Sequence, residues 1–177
     1  MKEILYYLLI IIPITISVKA NEFPLDPNIT YGKLDTSLTY YIRENQNPKD
    51  KAYIKMVIKA GSLMEEEHQQ GLAHLLEHMA FNGSKNFPKM SVDEFMSSIG
   101  LNIGTHYNAS TGFFITNYEY EIPTNDPKNL ETVIKILADV LKNLSLEDEA
   151  FERERKIVEE EWRGDIGSDQ KYLEALY

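Results

Sequence analysis

The sequence predicts an α+β domain: a mostly antiparallel sheet with helices packed on one face. Two segments alternate as strands do. Ala52, Ile54, Met56, Ile58 and Ala60 share one side of a run that ends at Gly61, and Phe114, Thr116, Tyr118, Tyr120 and Ile122 share one side of another. Stretches at about 69–81, 91–100, 127–143 and 145–162 carry helical periodicity or helix-start signals. With 177 residues, 43% of them hydrophobic, the chain has room for one real core.

Residues Met1 to Ala20 read as a secretory signal, removed before Asn21. Lys2 precedes an apolar run from Ile4 to Val18, and Val18-Lys19-Ala20 is the cleavage site. That run is interrupted by Pro13 and is shorter than the roughly 20 residues of a membrane span, so no stable span is expected after signal removal. Export follows, to a periplasm if the source has two membranes. Residues 21–177 are then an N-terminal domain, expected to be incomplete because nothing in the last helix marks a chain end.

Asn21 to Asp35, with Pro24, Pro27 and Gly32, reads as an extended lead-in. Leu38 to Arg43 is a strand, and after the turn at Glu44 to Lys51 the alternating strand 52–60 is expected to hairpin back onto it. Glu65, Glu66 and Glu67, with His68, form a solvated approach to the helix at 69–81. Ser91-Val92-Asp93-Glu94 is a capping box opening a helix that buries Val92, Phe95, Met96 and Ile99 and stops at Gly100. Leu101 to Gly112 reads as a loop, with His106 a polar loop residue. Asp126-Pro127 caps a helix marked by Val133, Ile134, Leu137, Ala138 and Leu141. Ser145 to Asp148 starts a last helix through Phe151, Ile157, Val158 and Trp162, loosened or ended by Gly164 and Gly167.

Composition narrows the chemistry. A net charge of −10 disfavours nucleic acid and anionic membrane as partners. The absence of cysteine removes disulfides, thiolate metal sites and cysteine nucleophiles, so any metal must be held by nitrogen and oxygen. The 69–81 helix contains His74-Leu75-Leu76-Glu77-His78. Residues four apart on a helix share a face, so His74 and His78 can aim two imidazoles at one Zn²⁺ ion. Glu77 between them is a carboxylate placed to take a proton from a water at that ion, the His-x-x-Glu-His arrangement of inverted zinc peptidases. A third ligand could come from the last helix, but spacing alone does not choose among Glu152, Glu154, Glu159, Glu160 and Glu161.

Gly71 to Phe87 together with Glu152 to Arg163 resembles the pitrilysin/insulinase family of zinc metallopeptidases, and the likeness extends over roughly 38–177. The resemblance implies that Glu161, closing an Arg155-x-x-Val158-x-x-Glu161 pattern, is the third zinc ligand, and that Glu154 is a supporting acidic residue of the catalytic site. It implies that Asn108 and Ala109, followed by Thr111, Thr116 and Tyr118, belong to the edge where a peptide substrate adds as an extra strand. It also implies zinc-dependent endopeptidase activity with Glu77 as base, and a second peptidase-like half or subunit that closes the site. The alternatives are a non-catalytic zinc-binding subunit acting only with such a half, or a small zinc-binding protein without hydrolytic role. At Phe114 the sequence departs from the family pattern, in which an acidic residue is common near that position.

Overall fold

A computed structural model describes residues 25–174, so the signal predicted at 1–20 lies outside the described residues. The chain divides into a unit ending at Asn45 and a second beginning at Gln46. The described part of the first is a hairpin. Strand β1 (Ile29–Lys33) pairs antiparallel with β2 (Thr39–Arg43), Ile29 opposite Arg43 and Lys33 opposite Thr39. The segment predicted as a lead-in thus contains a strand. Its β-forming residues find a local partner through a tight turn, in which Ser37 (φ 68°) donates its backbone N–H to the Leu34 carbonyl. Tyr31 faces Tyr41 across the ladder at 5.1 Å between ring centres.

In the second unit, β3 (Lys51–Ile58), β5 (Thr116–Pro123) and β4 (Tyr107–Thr111) form an antiparallel sheet in the order β3-β5-β4. The hairpin predicted between the 38–43 and 52–60 strands is therefore not formed: β2 pairs with β1, and β3 with β5. Alternation selects the face a strand buries but not its partner. Here Ile54 and Met56 lie opposite Tyr120 and Tyr118, making one continuous apolar surface. The 101–112 stretch, predicted as loop because of its Asn, Gly and Ser content, contains β4. What orders it is pairing with β5, which stacks Tyr107 on Tyr120 with ring centres 5.6 Å apart. Lys55 and Glu119, directly opposite, pair at 2.6 Å on the solvent face.

The helices lie on the other face. Helix α1 (Leu72–Met79) is shorter than predicted and is flanked by 3₁₀ turns at Glu67–Gln69 and Ala80–Asn82. Helix α2 (Lys89–Ser98) begins two residues before the predicted capping box. Pro88 occupies the cap position, and the Ser91 hydroxyl donates to the Pro88 carbonyl at 2.7 Å from inside the first turn. Helix α3 (Pro127–Asn143) has the predicted cap, with Asp126 accepting from the Lys128 N–H at 2.9 Å. It buries Val133, Ile136 and Leu137, while Ile134 and Leu141 are exposed. Met96, Ile122 and Val133 are fully buried in the core. Helix α4 (Asp148–Glu174) runs through Gly164 and Gly167, which do not end it. Among the described residues no helix is long and apolar enough to cross a membrane.

One polar knot fixes where α4 starts. Asp139, buried on α3, accepts hydrogen bonds from the Ser84 hydroxyl (2.6 Å), the Asn86 N–H (2.9 Å) and side-chain amide (2.7 Å), and the Asn143 amide (2.7 Å). Alongside it, Ser145 N–H donates to the Gly83 carbonyl at 3.2 Å. The segment leaving α1 is thereby tied to the segment entering α4. The Ser84 hydroxyl and the other donors hold the Asp139 carboxyl well below its ordinary 3.8. A carboxyl lowered on folding contributes stability above its unfolded pKa, and that contribution is lost as pH falls below it. The melting temperature of Asp139→Asn should fall furthest below wild type near neutral pH, and the gap should narrow below pH 3.8. A gap independent of pH down to 3 would mean that the ionised carboxylate is not what holds the knot.

Candidate metal centre

The motif helix needs an entry that satisfies its first free N–H groups, and the supplier is Glu65. Its two carboxylate oxygens accept from Gly71 N–H at 2.8 Å and Ala73 N–H at 2.7 Å. Of the three glutamates predicted as a solvated approach, this one is the cap of α1. Gly71 has φ 87°, a left-handed conformation that disfavours other residues. Close by, Gly61 lets the Ser62–Met64 turn approach the strand end, where a Cβ would lie 2.2 Å from the Gly112 carbonyl oxygen.

Helix α4 docks against α1 through Val158, which packs with Leu75 and Met79 in a small buried cluster. Glu154 and Glu161 flank Val158 by four and three residues, on the same helical face. Arg155 takes up two other glutamates, Glu152 at 2.8 Å and Glu159, and Arg163 takes Glu160. Of the five candidates open in the sequence, Glu154 and Glu161 are the two that reach the histidines.

The three candidate ligand atoms stand close together. His74 Nε2 and His78 Nε2 are 3.2 Å apart, and Glu161 Oε2 is 3.4 Å from the first and 3.3 Å from the second. Zinc bound to nitrogen or oxygen at about 2.0–2.1 Å in a tetrahedron has ligand–ligand separations of roughly 3.3–3.4 Å. The triangle therefore has the dimensions of three tetrahedral vertices. Among the described residues it is the one group of side chains with metal-ligand potential. His78 Nδ1 lies 3.3 Å from Glu154 Oε2, an acceptor; the tautomer that donates from Nδ1 there keeps the lone pair on Nε2, the nitrogen facing His74 and Glu161.

Glu77 is 7% exposed and accepts the Thr111 hydroxyl at 2.5 Å, so the last residue of β4 holds this carboxylate. Burial, with the Glu77 charge second, pushes the Tyr118 phenol far above its ordinary 10, and it stays protonated near the site. Asn108 and Ala109 lie on β4, whose other backbone edge has no partner strand among the described residues. Phe114 is exposed at the β4–β5 turn, and His106 accepts the Asn102 N–H at 3.2 Å outside the cluster. Sequence reasoning missed the roles of Glu65, Thr111, Asn82 and Arg153. Asn82 had a usable signal, since it lies four residues after His78, and Glu65 lies only six and eight residues before the N–H groups it caps; Thr111 acts across the fold and had none.

Residues 40–175 match the family described as "Insulinase (Peptidase family M16)". The chain belongs to that family. Its relatives include the probable zinc protease PqqL of Haemophilus influenzae, 38% identical over 143 residues that cover 81% of this chain and 15% of that protein. The crystal structure of the periplasmic protease PqqL from Escherichia coli has a TM-score of 0.79 at 35% identity, covering 86% of this chain and 17% of that one. A structure of the first half of the same protease matches with TM-score 0.76 and 37% identity over 80% of this chain and 30% of that half. This M16 chain thus spans 15–17% of the length of whole relatives. Those likenesses establish the α+β fold as that of the pitrilysin-like first domain.

The contact between Thr111 and Glu77 can be tested in this insulinase-family chain without any substrate. Thr111→Val keeps the shape and removes the donor, leaving a buried carboxylate oxygen unpaired. Denaturant unfolding should register a loss of about 1–3 kcal/mol. A variant as stable as wild type would show that Glu77 does not depend on this hydroxyl.

Proposed function

We propose that this chain carries the zinc centre of an exported zinc endopeptidase, with one ion held by His74, His78 and Glu161. The observation that carries the reading is the ligand triangle, whose edges of 3.2, 3.4 and 3.3 Å suit tetrahedral zinc and leave the fourth vertex free. Bound there, zinc supplies Lewis acidity, lowering the pKa of a water toward about 7 and polarising the scissile carbonyl.

The protein's own groups do the rest. Glu77 takes the proton of the attacking water and delivers it to the departing amide nitrogen. Its hydrogen bond from Thr111 keeps one carboxylate oxygen engaged at 2.5 Å while the other remains available for that transfer. Glu154 orients His78 through Nδ1 and strengthens it as a donor. An extended peptide adds to the open edge of β4, where Asn108 and Ala109 offer backbone groups. A second peptidase-like half closes over it. Support for that partner is the chain's match to the first half of PqqL, and support for a periplasmic location is that PqqL of Escherichia coli is a periplasmic protease.

Zinc stoichiometry and chelator-sensitive peptide cleavage by the complete protein test the reading. Glu77→Gln should keep its zinc and lose about 100- to 10,000-fold in turnover. Cleavage at wild-type rate would remove Glu77 as the base. His74→Ala should lose both metal and activity, measured as zinc bound per chain after dialysis; full retention of the ion would remove His74 as a ligand. Zinc at one per chain without any peptide cleavage by the complete protein would instead favour the non-catalytic subunit reading.

A further inference from the structure

Asn82 ends the 3₁₀ turn that follows α1, and its side-chain amide is engaged at both ends. The NH₂ group donates to the His78 carbonyl at 3.1 Å and to Glu154 Oε1 at 3.0 Å, and its oxygen accepts from Arg153 Nη2 at 2.6 Å. A carboxylate on one side and a guanidinium on the other allow only one orientation of the amide. Arg153 also reaches Glu154 Oε1, with Nε and Nη2 each at 3.3 Å.

We infer that Asn82 is a positioning residue for the metal centre, acting on His78 through Glu154. The inference rests on the reading of His74, His78 and Glu161 as zinc ligands. Glu154 has two oxygens and a rotatable stem. With Oε1 tethered by Asn82 and Arg153, Oε2 stays aimed at His78 Nδ1 at 3.3 Å, and the imidazole keeps Nε2 facing the other two ligands. Arg153 cannot supply this restraint alone. Its side chain is 48% exposed, and an exposed ion pair contributes little fixed geometry. Asn82 is tied to the backbone of α1 itself by its bond to the His78 carbonyl, so it references the carboxylate of α4 directly to the helix carrying the histidines. The arrangement passes order from one helix to the other through a neutral amide, with no added charge beside the ion.

Zinc affinity of the complete mature protein, measured by competition with a chromogenic chelator, tests this. Asn82→Ala should weaken zinc binding about 10- to 100-fold, the usual effect of removing an outer partner of a ligand. In a Glu154→Ala background the same substitution should cause no further loss, because its route to the metal is gone. Equal losses in both backgrounds would mean that Asn82 only supports the end of α1, and an unchanged affinity for Asn82→Ala would overturn the inference outright. Should Asn82→Ala fail to fold, the near-isosteric Asn82→Leu decides: a loss of the same size supports the tether, and wild-type affinity overturns it. Wild-type chain that binds no zinc would overturn the metal-centre reading itself, an outcome distinct from tight wild-type binding that is insensitive to Asn82.

Discussion

Everything at the site depends on the seating of α4 against α1. Neither helix can hold an ion alone: α1 offers two nitrogens and α4 one oxygen, and a catalytic zinc site commonly has three protein ligands. The seat is Val158, with Ala150 and Phe151 beside it, against Leu75 and Met79, within a cluster separate from the main core. A slip of one helical turn, about 5.4 Å, would exceed any separation in the ligand triangle. Register is therefore the quantity the fold must fix. It does so from outside the site, through the knot at Asp139 and the bond between Ser145 and Gly83 that sets where α4 begins.

Legibility in the sequence followed the range of the interactions. The His-x-x-Glu-His face could be read because i and i+4 positions share a side whatever surrounds them. The Asp126-Pro127 cap and the strands of 52–60 and 116–122 were equally local. Strand pairing was not: β3 satisfies alternation with any partner, and only the joint core with α2 and α3 selects β5. Nor was the strand character of β4, whose Asn, Ala, Ser and Thr residues are ordered by β5 on one side and by the Glu77 contact at its end. The choice of Glu161 among five glutamates lay in between. A family pattern indicated it, but the physical cause is that Arg155 and Arg163 engage Glu152, Glu159 and Glu160, a competition visible only once the side chains are placed. Glu65 illustrates the limit of composition: within one charge run, one carboxylate caps a helix while its neighbour Glu67 stays exposed.

The sheet contributes precision to the other half of the chemistry. Thr111 reaches Glu77 because β4 is held in one register, Thr111 opposite Thr116 and Tyr107 opposite Tyr120. A slip of a single residue would turn Thr111 to the opposite face and its hydroxyl away from the carboxylate. The stacked tyrosines at the far end of the strand resist such a slip, since their fit is specific to that pairing.

The centre therefore distributes its tasks according to how each element is anchored. The proposed metal ligands come from two helices, and a network of hydrogen bonds supplements the packing between them: Glu154 on His78, with Asn82 and Arg153 on Glu154. Glu77, the proposed base, sits on the same helix as the histidines, which fixes its distance from them through backbone geometry alone, and it borrows its remaining restraint from the edge strand. That edge is also the one where an extended peptide is proposed to add. A chain bound along β4 would lie against the strand that positions Glu77, so the alignment of a substrate and the alignment of the base would share a single reference frame.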